Sequence, residues 1–286
     1  MSTSESATQG RRRILVGVDG SDDGLRAALY AMRVARATDS DLWLVYVADD
    51  SALVVVGLWE LLETPAQMSE VGERVLAETV QRLVKEEGFP AERVATEVRV
   101  GRATDVLAQL SSQAGMAVVG RRSLSGLERM FVGSTSVGLV TSAACPVVVI
   151  SAASTPEETG RFRSVAVAVS SWPPHSGALE WGVREASARG AGLRVVHVLS
   201  ELVELPVGLF ANVSADLERH VAPLREDNPH TPIEVQVLQG SPIDELVGLS
   251  REVDLLVVGI HTGGLALSGL VRGLMAHAHC PVALIR

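Results

Sequence analysis

Aromatic residues make up only 3% of this 286-residue chain, and cysteine occurs twice. Two thiols cannot build a disulfide framework, which excludes a small secreted domain stapled by bridges. No apolar run reaches the ~18 residues that a membrane span needs. The opening "MSTSESATQGRRR" lacks the apolar core of a secretory signal, so a cytoplasmic protein without membrane contact is expected. Basic residues are also in deficit, with 25 Lys and Arg against 34 Asp and Glu and a formal net charge of -9. That balance argues against the broad basic face of a nucleic-acid binder. The one basic run, Arg11 to Arg13, is expected to be a solvated lead-in to the first strand. A Walker-type Gly-Lys-Ser/Thr is absent, and with it the usual lysine of a phosphate loop.

What is present is apolar and aliphatic. Hydrophobic residues are 47% of the chain against 21% charged, enough for a folded core, and the length fits two domains at ~150 residues each. The chain is also written twice. "ILVGVDGSDDGLRAALYA" from 14 matches "VAVAVSSWPPHSGALEWG" from 165, "LWLVYV" from 42 matches "LRVVHV" from 193, and "CPVVVIS" from 145 matches "CPVALIR" from 280. The Pro- and acid-rich stretch 151–161 reads as a linker. The expected domains are therefore 1–152 and 162–286, joined by 153–161. Cys145 and Cys280 fall at equivalent places before Pro146 and Pro281, as repeated strand-entry residues rather than redox partners.

Within the first half, strands are expected near 13–19, 42–48, 94–100, 116–120 and 146–150. Helices are expected near 21–37, 67–87, 103–112 and 134–143. In the second helix, Met68, Val71, Val75, Val80, Leu83 and Val84 recur at helical spacing and predict one apolar face. "ILVGV", "MAVVG", "PVVVI", "VAVAV" and "LLVVG" are continuous apolar runs, as in parallel strands covered on both faces. Alternation of such strands with helices predicts an α/β fold of two tandem repeats, each an open, doubly wound, five-stranded parallel sheet. Ligands in such sheets bind beyond the carboxyl ends of the strands, where the winding reverses.

Several residues are expected at that mouth. Strand one ends at Asp19, followed by Gly20 and Ser21; either Asp19 or Ser21 caps the next helix, or Asp19 faces a ligand. Strand two ends at Val47. Strand four ends at Val119 and Gly120, where the missing Cβ admits a backbone or a ligand. "GSTS", 133–136, then opens a helix whose N-terminal N–H groups and dipole suit an anion, with Arg121, Arg122 and Arg129 nearby.

Taken together, this spacing resembles the universal stress protein family. Its ATP-binding members carry, after the fourth strand, Gly, two residues, Gly, nine residues, then Gly and Ser or Thr. This chain has Gly120, then Ser123 in place of the second glycine, then nine residues, then Gly133 and Ser134. "VGVDGS" and "ACPVVVI" extend the resemblance, which covers both halves. It implies a Rossmann-like fold of the adenine nucleotide alpha-hydrolase type. It also implies a cytoplasmic regulatory protein that binds ATP or a related adenine nucleotide, with Mg possible alongside. By that resemblance Asp19 and the main chain at Val47 hold adenine and ribose. Val119, Gly120 and Ser123 line the entry of the phosphates, and Gly133, Ser134 and Thr135 bind their oxygens. Two departures stand out. Ser123 is strained if the position needs positive φ, and Gly115 replaces the acid usual before the fourth strand. The resemblance also implies an unidentified regulatory protein partner and pairing through edge strands, the last strand in particular, either between the two halves or between chains in a homodimer.

The second half departs further. Ser170 stands where Asp19 stood, and eight residues separate Gly259 from Ser268 against twelve between Gly120 and Gly133. The shortening removes about 13 Å of contour. A triphosphate is therefore expected only in the first half, although Gly263 and Gly264 can form a small anion nest. "HAHC", 277–280, straddles a helix end and a strand start and does not make a zinc site. Neither His197 nor His175 stands in a nucleophile arrangement. The apolar stretch 51–66 is either a buried helix, a flap over the pocket or a partner surface. No general base for hydrolysis is visible, so nucleotide binding without turnover is expected; the alternative is a stress-response interaction scaffold that binds no nucleotide.

Overall fold

The computed structural model describes residues 12–48, 65–121, 134–150, 154, 163–169, 176–200, 208–260 and 267–286. The segment 51–64, the linker residues 153 and 155–161, Ser170, His175, and Gly263 and Gly264 lie outside them. Contacts divide the chain into two compact units, with the described residues up to 121 and 134–147 in one and those from 148 in the other.

In the first unit the strands are β1 (Arg13–Val18), β2 (Asp41–Ala48), β3 (Val94–Val100), β4 (Met116–Gly120) and the start of β5 (Val147–Ile150). The helices are α1 (Asp22–Ala37), α2 (Pro65–Gln81, continued by a π-helical turn Arg82–Glu86), α3 (Ala103–Leu110) and α4 (Ser134–Ser142). β1 pairs in parallel with β2 on one side and β4 on the other, and β2 pairs with β3, giving the order β3-β2-β1-β4. The winding thus reverses between β1 and β4. The Ala117 N–H donates to the Pro146 carbonyl at 2.9 Å, which sets the entry to β5.

Small residues bring α1 onto the sheet. Ala27, Ala28, Ala31 and Ala35 are fully buried, so the helix packs close to β1 and β4. On α2 the buried stripe differs from the expected one. Gly72, Leu76, Thr79 and Leu83 face inward, while Val71, Val75, Val80 and Val84 are half-buried and the Met68 side chain lies outside the described residues. The cause is Gly72, where a Cβ would stand 2.6 Å from Tyr46 Cδ1 and 3.0 Å from Val98. The helix meets the sheet at a residue with no side chain, and its valines flank the contact.

The second unit repeats the plan with β6 (Ser164–Val169), β7 (Gly192–Leu199), β8 (Ile233–Gln239), β9 (Leu255–Gly259) and β10 (Val282–Ile285), in the order β8-β7-β6-β9-β10. Its helices are α5 (Ser176–Arg189), α6 (Leu209–Asp227), α7 (Pro242–Leu249) and α8 (Gly269–His277). Local devices recur as well. Gly101 and Gly240, at φ +137 and +154, both turn the chain from an edge strand into a helix and donate to Ala48 and Leu199. Buried Ser111 and Ser250 both accept a backbone N–H, from Ala144 at 2.8 Å and His279 at 2.9 Å, just ahead of the two cysteines. Burial pushes the Cys145 thiol up to about 11 and Cys280 up to about 12, and both are free. Among the described residues, no helix is long and apolar enough to cross a membrane and no group of side chains is suited to hold a metal ion.

Candidate functional site

Beyond the carboxyl ends of β1 and β4 the first unit has a cleft, at the reversal of winding where such sheets bind ligands. Its floor is apolar, made by Gly17, Val45, Val119 and Leu107. Gly17 keeps that floor thin, since a Cβ there would stand 3.1 Å from Leu107 and 3.2 Å from Val119. The polar rim comes from Asp19 and Ser21 after β1, and from Thr135 and Ser136 on α4.

The cap of α1 falls to Ser21. Its Oγ accepts the Gly24 N–H at 3.1 Å. Asp19 plays a different part. Its Oδ1 accepts the Ser21 N–H at 3.0 Å and the Ser21 hydroxyl at 2.5 Å, and the residue is exposed at the cleft mouth. Val47 lies one residue past Tyr46, the last β2 partner of β1, and lines the cleft. Val119 and Gly120 close the β4 side. The Gly120 position is occupied closely by backbone: a Cβ would stand 2.5 Å from the carbonyl carbon and oxygen of Asp23.

Three helices begin at this cleft. α1 contributes Ser21 and Gly24, α3 contributes Ala103, and α4 contributes Thr135 and Ser136. The residue before α3, Arg102, makes no side-chain cap, and the one before α4 is Gly133, which has no side chain. Uncapped helix starts present N–H donors and the positive end of the dipole. Buried Ser136 donates its hydroxyl to the Gly120 carbonyl at 3.2 Å, tying α4 to the end of β4. That hydroxyl is structural, whereas Thr135 faces the cleft.

Of the eight residues expected at the site, the structure brings Asp19, Val47, Val119, Gly120 and Thr135 together around one cleft. Ser134 begins α4, its side chain outside the described residues, as are Ser123 and Gly133. Arg121 is buried at 6% exposure and takes no part in the cleft wall; Arg122 and Arg129 lie outside the described residues. Ala103 and Leu107 were not legible as site residues. Only the turn at Gly101, which aims α3 at the cleft, signals them.

At the corresponding place in the second unit one donor is used and another is removed. The Ser268 hydroxyl, where the first half has Gly133, accepts the Val271 N–H at 3.3 Å and so caps α8 itself. α7 starts with Pro242, which has no N–H, where α3 starts with Ala103.

A family model described as the Universal stress protein family matches residues 10–151 and 161–286. The chain belongs to the universal stress protein family. Universal stress protein Rv2005c of Mycobacterium tuberculosis is 29% identical over 278 residues, covering 93% of this chain and 92% of the relative. Universal stress protein Rv3134c of the same organism is 30% identical over 253 residues, covering 88% and 89%. The crystal structure of a universal stress protein from Archaeoglobus fulgidus superposes with a TM-score of 0.72 at 18% identity, covering 96% of each chain. That likeness carries the tandem fold of this universal stress protein.

Proposed function

We propose that this universal stress protein is a cytoplasmic regulator that binds ATP or a related adenine nucleotide in the cleft of its first repeat and does not turn it over. One observation carries the reading: the starts of α3 and α4, neither capped by the side chain before it, meet at a cleft with an apolar floor and one carboxylate at its mouth. N–H groups at these helix starts suit the phosphates, the apolar floor of Gly17, Val45 and Val119 suits a base, and Asp19 suits donors of the base or sugar. Magnesium would enter with the phosphates, since the described residues offer no cluster of ligands for a resident ion. Binding would act by favouring one of two states that a partner protein distinguishes.

Nucleotide released from the purified protein by denaturation, together with calorimetric titration with ATP, tests this reading. One nucleotide per chain is expected in the wild type and none in Gly133→Asp, whose carboxylate would sit at the start of α4 and repel phosphate. Absence of bound nucleotide and of titration heat at millimolar ATP would leave the alternative, a stress-response scaffold. One observation favours that alternative: Gly120 is required by the approach of the Asp23 backbone whether or not a ligand is present.

A further inference from the structure

We propose that Ser21 and Gly24 are positioning residues that hold the Asp19 carboxylate as an acceptor for a donor group of the bound nucleotide. The proposal rests on reading the cleft as a nucleotide site. Ser21 acts through hydrogen bonds. Its backbone N–H and its hydroxyl both donate to the same oxygen, Asp19 Oδ1, at 3.0 and 2.5 Å, so the carboxylate is gripped at two points. The same hydroxyl oxygen accepts the Gly24 N–H at 3.1 Å, which fastens the pair to the first turn of α1.

Gly24 acts through space. A Cβ there would stand 2.8 Å from Asp19 Oδ1 and 3.3 Å from the Asp19 nitrogen. Any side chain at 24 therefore pushes the carboxylate out of the place where Ser21 holds it. Gly24 sits in the first turn of α1, where alanine would otherwise be the better helix former. Its cost to the helix is thus explained by the room it leaves for Asp19. In the aligned second half the three positions change together, to Ser170, Trp172 and His175. That half keeps neither the carboxylate nor the two residues that place it.

The test separates positioning from helix capping. ATP titrations and ligand-free melting temperatures are measured for the wild type, Ser21→Gly, Ser21→Thr and Gly24→Ala. Glycine is tolerated at an N-cap almost as well as serine but has no hydroxyl to donate to Asp19 and adds no charge, and threonine keeps the hydroxyl. Ser21→Gly and Gly24→Ala are expected to bind ATP at least about tenfold more weakly, the scale of a lost hydrogen bond to a charged group. Their melting temperatures are expected to stay within about 3 °C of wild type, and Ser21→Thr is expected to restore binding to within about threefold of wild type. Wild-type affinity in both weakened candidates overturns the positioning role and leaves the nucleotide reading standing. Losses that track a fall in ligand-free stability, or an equal loss in Ser21→Thr, reduce Ser21 to a cap and also overturn it. A wild type that binds no ATP overturns the proposal together with the reading beneath it.

Discussion

At Gly120 an added methyl group would meet the backbone of Asp23 at 2.5 Å, so one of the two main chains would have to shift. Gly120→Ala is therefore expected to lower stability by about 1–3 kcal/mol, the usual range for overpacking, as read by urea unfolding. A ligand contact alone would leave the unliganded protein as stable as before. The cysteines show burial acting on chemistry. With thiols pushed up to about 11 and about 12, both stay protonated at neutral pH, and the native protein is expected to resist iodoacetamide at pH 8 while the denatured chain reacts. An unfolded thiol titrates near 8.5, so the folded form holds its proton more tightly. Stability is fully present below about pH 8.5 and falls by about 1.4 kcal/mol per pH unit per thiol as pH rises toward the folded values. Comparison of wild type with Cys280→Ala across pH 8–10 should show the shallower decline in the variant.

At the level of elements, the two repeats show what a single side chain does at a strand entry. Asp254 accepts the N–H groups of Arg163 and Ser164 at 2.7 and 2.8 Å, and so fixes the start of β6. In the first repeat Gly115 stands in that place, its N–H donating to the Arg13 carbonyl as that of Asp254 donates to Ser164. A Cβ at 115 meets only Arg12 side-chain atoms at 3.5 Å or more, and the backbone needs no positive φ. Gly115→Asp is therefore expected to stabilise the protein by about 1 kcal/mol through the two restored hydrogen bonds, visible as a higher melting temperature. Elements were also where sequence reading did best. The continuous apolar runs gave strands at nearly the expected bounds, because a strand covered on both faces has no polar position to confuse the pattern. The face of α2 was less legible. Hydropathy marks valines, whereas the closest contact with the sheet is made by Gly72, which periodicity does not count.

At the scale of the whole chain, duplication has given one fold two different mouths. The first has helix starts at Ala103 and Ser134 with no side-chain cap from Arg102 or Gly133; the second has Ser268 capping α8 and Pro242 in place of a donor. One nucleotide per chain is expected rather than two. Saturation at 100 times the dissociation constant should stabilise the protein by about 2.7 kcal/mol. Ser268→Gly is expected to leave the stoichiometry at one, since it restores neither the missing N–H at Pro242 nor the four residues by which the second loop is shorter.

The sequence alone determined the duplication, the parallel strands, the family and five residues of the cleft, because repeats, apolar runs and motif spacing are all written along one dimension. The tertiary structure decided what each of those residues does. Gly120 faces a backbone, Ser136 ties two elements, Ser21 rather than Asp19 caps α1, Arg121 is buried, and α3 supplies a wall. These are contacts between segments from roughly 16 to 100 positions apart or between rotamers within one turn. Hydropathy and spacing carry no record of either, since both depend on how closely backbones approach once the helices are packed on the sheet.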